Sequence, residues 1–217
     1  MSSPKNRIIP RDLRGLRPLL IAAALLVLSA GYALAAPAGA VVGLFGGCVI
    51  ESGGSRVAAK IGQPVQIGDT IDVPADGKLK LRMADGSVVS VAAGTRMTIV
   101  AFGLDSAGQR EAARLSLTQG LLRAVVAPVG RPASFEVDTA VGTAAVRSTD
   151  WFVEASGAAM QVGVLSGSVE MTSAATKRRE TIPARWGARL EAGRDPVPPR
   201  VWSPAEFDAV IARTNVP

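Results

Sequence analysis

The chain has 217 residues, 48% hydrophobic and only 4% aromatic, with 24 Lys and Arg against 18 Asp and Glu, a single Cys and no His. This excludes Ser-His-Asp and Cys-His catalysis, His-bearing zinc sites, an internal disulfide and a Cys-cluster metal site. Residues 1–35 carry Lys5, Arg7, Arg11, Arg14 and Arg17 against Asp12, so most of the formal +6 lies there and the remainder is nearly balanced.

The first element is an export signal. Residues 1–18 are polar and basic, Leu19 to Leu28 are unbroken apolar residues, and Ala33-Leu34-Ala35 is a small-residue cleavage site before Ala36-Pro37. These are the three parts of a secretory signal peptide. The alternative extends the apolar stretch to Ala36 as a signal anchor with a cytoplasmic N-terminus. Both readings export everything after about residue 36. Cys48 lies far beyond the apolar core and Phe45 fits a lipidation box poorly, so it reads as a small apolar strand residue. A lone thiol also suits an oxidising compartment.

From residue 43 to about 193 the pattern is one of short alternating runs bounded by Gly, Asp or Pro. Lys78 to Met83 alternates strictly, with Leu79, Leu81 and Met83 on one face, and Ser87 to Val91 follows the Asp85-Gly86 turn; this is a half-buried hairpin. Turn signals recur at Gly68-Asp69, Ala75-Asp76-Gly77, Ala84-Asp85-Gly86 and Ala93-Gly94-Thr95. Further strands are predicted at 114–117, 121–127, 134–137, 151–155, 160–165, 168–172 and 189–190. The loop Asp105–Gly108 leads into a hairpin connection over 109–114. Gly120 and Gly167 are predicted as turns at matching points of two similar strand-Gly-strand units, an internal repetition. Lys177-Arg178-Arg179, followed by Glu180, is a solvated hairpin tip, and aromatic residues for base stacking are scarce, so nucleic acid is not an expected partner. Asp195-Pro196-Val197-Pro198-Pro199 is a stiff extended linker. Ser203-Pro204-Ala205-Glu206 then starts a short helix, with Ser203 as N-cap, Pro204 at the first position, Glu206 closing a capping box, and Phe207, Val210 and Ile211 on one face.

Only carboxylates are candidates for catalysis. Asp69, Asp72 and Asp76 lie close in sequence, as do Asp138 and Asp150, and paired carboxylates serve glycoside hydrolysis. Most of them adjoin Gly, Thr or Pro, where Asp caps turns. Asp69–Gly77 lacks the closing Glu of an EF-hand, and Gly43–Gly54 lacks the Lys-Ser/Thr of a phosphate loop. Arg147-Ser148-Thr149-Asp150-Trp151 is the most distinctive string. Arg147 is expected to be buried, bridging turns through carbonyls or Asp150; the competing reading is a ligand-facing corner.

Over about residues 43–193 the chain resembles the FecR-type periplasmic domain family. Gly68-Asp69-Thr70-Ile71 resembles its "GD-x-I" turn. Asp76-Gly77 through Asp85-Gly86-Ser87 resembles its "G-x-a-x-L-x-f-x-D-G-S" hairpin. Leu117 to Gly120 resembles "L-x-x-G", and Val137-Asp138-Thr139 through Val146-Arg147-Ser148-Thr149-Asp150 resembles "V-x-T-p…v-R-G-T-x-F". Val164 to Glu170, containing Gly167, resembles "v-l-e-G-s-V-e". Ser148 stands where the family usually has Gly, which implies a backbone conformation that residues other than Gly tolerate. Ser166 stands where Glu is frequent. The resemblance implies a part in cell-surface signalling, in which a periplasmic domain senses an outer-membrane transporter and a cytoplasmic domain controls a sigma factor. Only 18 residues precede the apolar segment here, too few to fold a domain, so direct sigma-factor control is not expected.

The expectation is an all-β protein, solenoid-like or a sandwich, with a short C-terminal helix. Residues 1–35 form the signal peptide or anchor, 36–193 the β domain, and 194–217 the linker and helix. The expected role is a non-enzymatic binding or scaffold module in the periplasm or at the cell surface. Its partner would be an envelope protein or polysaccharide, held at a sheet edge or loop cluster. It would need no cofactor and no metal, and would touch the membrane only through an uncleaved N-terminal segment. The alternatives are an inner-membrane, signal-anchored sensor acting through a separate membrane partner, and a carboxylate hydrolase.

Overall fold

In the computed structural model, residues 36–130 and 133–216 are described; the predicted export segment and its cleavage site lie outside them. Short strands bounded by tight turns build one continuous 17-stranded sheet. The sheet folds over on itself into two layers that share one strand, β9 (Arg110–Val125).

The first layer runs in the order β4 (Pro64–Val65), β1 (Gly39–Phe45), β6 (Lys78–Met83), β7 (Val88–Val91), the second half of β9, β12 (Asp150–Ser156), β13 (Ala159–Ser166), β16 (Trp186–Glu191) and β17 (Arg200–Val201). The second layer runs β3 (Ser55–Ala58), β2 (Val49–Ser52), β5 (Thr70–Val73), β8 (Thr95–Leu104), the first half of β9, β10 (Phe135–Asp138), β11 (Gly142–Val146), β14 (Ser168–Ser173) and β15 (Arg179–Pro183). The β9–β10 pairing is parallel and all the others are antiparallel.

Strand alternation explains how both layers bury one core. In β6, Leu79, Leu81 and Met83 point inward, and in β9 Ala113, Leu115 and Leu117 do the same. Each buried aliphatic side chain contributes about 1.5–3 kcal/mol. The outer face of the second layer is polar and cross-linked. Arg56 and Arg96 both reach Glu51 and Asp72, at 2.9 to 3.5 Å, and Thr70 and Thr98 share a hydrogen bond of 2.8 Å.

The outer face of the first layer is covered by α1 (Pro204–Thr214). Its capping box forms as the sequence predicts: the Glu206 N–H donates to the Ser203 side chain, and the Ser203 N–H donates to the Glu206 carboxylate at 2.8 Å. Trp202, Phe207 and Val210 pack on Ala92, Leu121 and Phe152. Phe152, Gly163 and Gly187 occupy one rung across β12, β13 and β16. The Phe152 ring lies over Gly163 and the Trp202 ring over Gly187, so close that a Cβ at either glycine would stand 2.1–2.2 Å from ring atoms. Lys78 and Lys80, on the outer side of β6, donate at 3.0 Å to the carbonyls of Ala212, Asn215 and Val216, closing the helix C-terminus.

Two expectations are corrected. Residues 114–117 and 121–127 are not two strands with a turn at Gly120; all but Val126 and Ala127 belong to the single strand β9, which bends at Gly120 and passes from the second layer to the first. The tract 109–114 is already strand from Arg110 onward, with the turn itself confined to Asp105–Gln109 by Asp105 Oδ1, which accepts from the Ala107 and Gln109 N–H groups at 2.9 Å. The basic triplet does sit at a hairpin tip, between β14 and β15, with Lys177 at φ 61°. Among the described residues no helix is long and apolar enough to cross a membrane.

Candidate functional site

The signature residues fall on the corners where the chain changes layer. At the first corner Gly120 adopts φ 94°, and a Cβ there would lie 2.5 Å from the Thr95 Cα. Thr95 Oγ1 donates to the Leu121 carbonyl at 3.2 Å and accepts from the Leu121 N–H at 3.0 Å. At the second corner Gly167 adopts φ 86° against Thr149, whose Oγ1 donates to the Ser168 carbonyl at 3.2 Å. Each buried threonine therefore bonds the residue after a positive-φ glycine. This is the physical content of the repetition read from the sequence, and only Gly accepts that conformation beside that threonine without strain.

The other motif residues hold turns. Gly68 has φ 93°, and Asp69 accepts from the Gln66 N–H at 2.8 Å. Thr139 Oγ1 closes the β10–β11 turn by donating to the Gly142 carbonyl at 2.9 Å. In the β6–β7 turn Gly86 has φ 86°, and Asp85 accepts from the Ser87 N–H at 2.9 Å.

Asp85 also meets the group that sequence reasoning missed. Its side chain forms an ion pair with Arg110, the two being 1% and 0% exposed. Arg110 Nη2 further donates to the Arg147 carbonyl at 3.0 Å and the Ala127 carbonyl at 3.3 Å, and the guanidinium stands 5.8 Å over the Phe135 ring. Arg110 thus ties together the β6–β7 turn, the exit of β9 and the exit of β11. The buried bridging arginine expected at 147 is in fact at 110, and Arg147 is exposed. Asp150 does not pair with Arg147 either; Arg123 takes it bidentately at 2.9 and 2.7 Å, and the pairing raises the Arg123 pKa. The signal for Arg110 was hidden by a bulge. The register skips between Gly103 and Leu104, opposite Ala112 and Arg110, which turns Arg110 inward against the alternation of its strand.

Beside this plug lies an open groove of about 620 Å³, lined by residues of β10, β11, β14 and β15 and of the 147–149 and 167 corners. Glu136, Ala145, Glu170 and Thr181 form one rung across the four strands. The small Ala145 between two glutamates leaves the trough, and Arg147, Ser148 and Ser168 stand at its end. Of the signature residues, Arg147, Thr149 and Gly167 line this groove. Asp85 and Gly86 belong to the turn behind it, and Gly68, Asp69, Gly120 and Thr139 lie elsewhere in the lining of turns and corners.

The candidate catalytic carboxylates do not assemble. Asp69 caps a turn, Asp72 pairs with Arg56 and Arg96, Asp138 with Arg114 at 2.5 Å, and Asp150 with Arg123. Among the described residues no group of three or more Cys, Asp or Glu is placed to hold a metal. Cys48, one residue before β2, is buried, its Sγ 3.4 Å from the Phe45 carbonyl, and burial pushes its thiol pKa up.

No curated protein matches the sequence. Two crystal structures of a candidate anti-sigma factor from Parabacteroides distasonis, at 1.65 and 2.50 Å resolution, share the fold with TM-scores of 0.54 and 0.53 at 18% identity. The match covers 64% of this chain and 63% and 62% of those chains, so less than two thirds of their length is represented. A family model described as FecR protein matches residues 69–170, a span that contains the Asp85 turn, both corner glycines and the Arg147 signature. Over residues 69–170 the β-sandwich of this chain is similar to the FecR family.

Proposed function

We propose that the protein is an exported, non-enzymatic FecR-type module of bacterial cell-surface signalling, which binds a protein of the envelope. The observation that carries this reading is the FecR-family match over residues 69–170, whose signature string frames an open groove while its buried members only hold the fold. The predicted signal peptide or anchor over residues 1–35 supports placement in the periplasm or at the cell surface. The engagement of Asp69, Asp72, Asp138 and Asp150 by an arginine or a turn supports binding over hydrolysis. Fractionation of cells carrying a C-terminally tagged chain tests the placement: protein in the envelope fractions supports it, and protein confined to the cytoplasm overturns it. N-terminal sequencing separates a cleaved module, starting near Ala36, from the signal-anchored sensor. In vivo crosslinking from a photoreactive residue at position 148 tests the binding role. One specific envelope protein crosslinked there supports it; crosslinks that do not exceed those from an exposed position such as 157 overturn it.

A further inference from the structure

We infer that the groove is a carboxylate-recognising site for an extended acidic segment of the partner protein, with Arg147 as the anion-binding group. This rests on the binding role proposed above and names its chemistry. The two acids in the groove are already engaged: Glu136 accepts from Ser134 Oγ at 3.0 Å and faces Arg114 at 3.8 Å, and Glu170 pairs with Arg179 at 3.5 Å. Arg147 is different. It is exposed at the groove end, and its guanidinium makes no hydrogen bond or ion pair with a described residue. Most arginines of the domain are matched to acids, as at 56, 96, 114, 123, 178, 179, 189, 194, 200 and 213.

The backbone that carries Arg147 is held in place. The Arg147 carbonyl is gripped by the buried Arg110 at 3.0 Å, and two residues on the buried Thr149 fixes the corner to Ser168. A guanidinium on a fixed backbone is suited to bidentate capture of a carboxylate. Hydroxyl groups of Ser134, Ser148, Ser168 and Thr181 line the same groove and can pair with peptide groups. The trough crosses four strands at about 4.8 Å each, enough for roughly four residues of extended chain. No aromatic side chain lines it, so it offers no platform for a sugar ring; this favours a peptide over a uronic-acid polysaccharide.

Phage-displayed random peptides selected on the full chain test the inference, with an oligosaccharide array as a second arm. Selected peptides are expected to share an Asp or Glu. Their binding, measured by fluorescence anisotropy, is expected to weaken about tenfold or more in Arg147→Ala and less in Arg147→Lys, the loss of a charged hydrogen bond. Ala145→Leu, which fills the trough from an outward-facing strand position, is expected to abolish binding with the charge intact. Unchanged thermal unfolding of both variants shows that the fold is kept. Peptides without a common acid, or acidic peptides whose binding ignores both substitutions, overturn the inference while leaving the binding role standing. Preferential capture of uronic-acid oligosaccharides in the array also overturns it. Failure of the crosslinking experiment at position 148 would instead remove the binding role itself.

Discussion

Arg110 is the only arginine among the described residues with a fully buried side chain, and Asp85 is its counter-ion. Removing one partner of such a pair strands a charge in a low-dielectric interior, which costs about 3–5 kcal/mol, whereas replacing both with apolar groups is often close to neutral. Arg110→Ala is therefore expected to lower stability by about that amount in urea denaturation, and Arg110→Met with Asp85→Leu by much less. A double variant as unstable as the single one would show that the pair is not what couples the three chain segments. Cys48 gives a second expectation at this scale. Its burial and raised pKa make a poor thiolate. The thiol should react with a disulfide reagent at neutral pH only as fast as the domain unfolds; stoichiometric reaction of the native protein within seconds would contradict the burial.

At the scale of elements, the helix depends on glycines in the strands beneath it. Gly163→Ala and Gly187→Ala push a methyl into the Phe152 and Trp202 rings, and overpacking of this kind costs about 1–3 kcal/mol. Gly157→Ala, where an added Cβ meets nothing within 4 Å, is the matched control. Tryptophan fluorescence should report displacement of Trp202 in the first two variants and none in the third. The capping box adds a pH dependence. The Arg200 guanidinium, followed by the Ser203 backbone N–H, lowers the Glu206 pKa from 4.5 to about 2. A carboxyl with a depressed folded pKa stabilises the folded state fully above its unfolded value and loses that contribution as pH falls through the folded value. The Glu206 contribution should therefore be intact above about 4.5 and disappear between 4.5 and about 2. A pH series of thermal unfolding should show a shallower acid slope in Glu206→Gln; an unchanged slope would argue against the pairing.

At the scale of the whole molecule, one face of the sandwich is built to meet water and the other is closed by α1. The second layer carries ion pairs and hydroxyl pairs on its outer face, while the first carries Phe152 and Leu121 under the helix. Truncation after Asp195 removes Trp202, Phe207 and Val210 from that cluster. At about 1.5–3 kcal/mol for each apolar side chain, the loss should reach several kcal/mol, with binding of a hydrophobic dye to the bared sheet. Full stability after truncation would mean that the helix is an accessory.

Local chemistry sufficed to read the strict alternation of Lys78–Met83, the Asp85-Gly86 turn, the Ser203 capping box and the matching glycines at 120 and 167, because each is encoded within a few neighbouring residues. Ser148 was legible too: it is not among the positive-φ residues, as its substitution for Gly implied. The two-layer arrangement, left open between solenoid and sandwich, was decided by strand pairings between residues far apart in sequence, such as Gly39 with Met83 and Gly142 with Ser173. Burial at Arg110 and exposure at Arg147 were decided the same way. A bulge reversed the side of one, and the groove was made by a small alanine that meets two glutamates only across strands. Sequence distributes charges along the chain; register and layer crossing decide which of them face the core, which find partners, and which is left open to solvent.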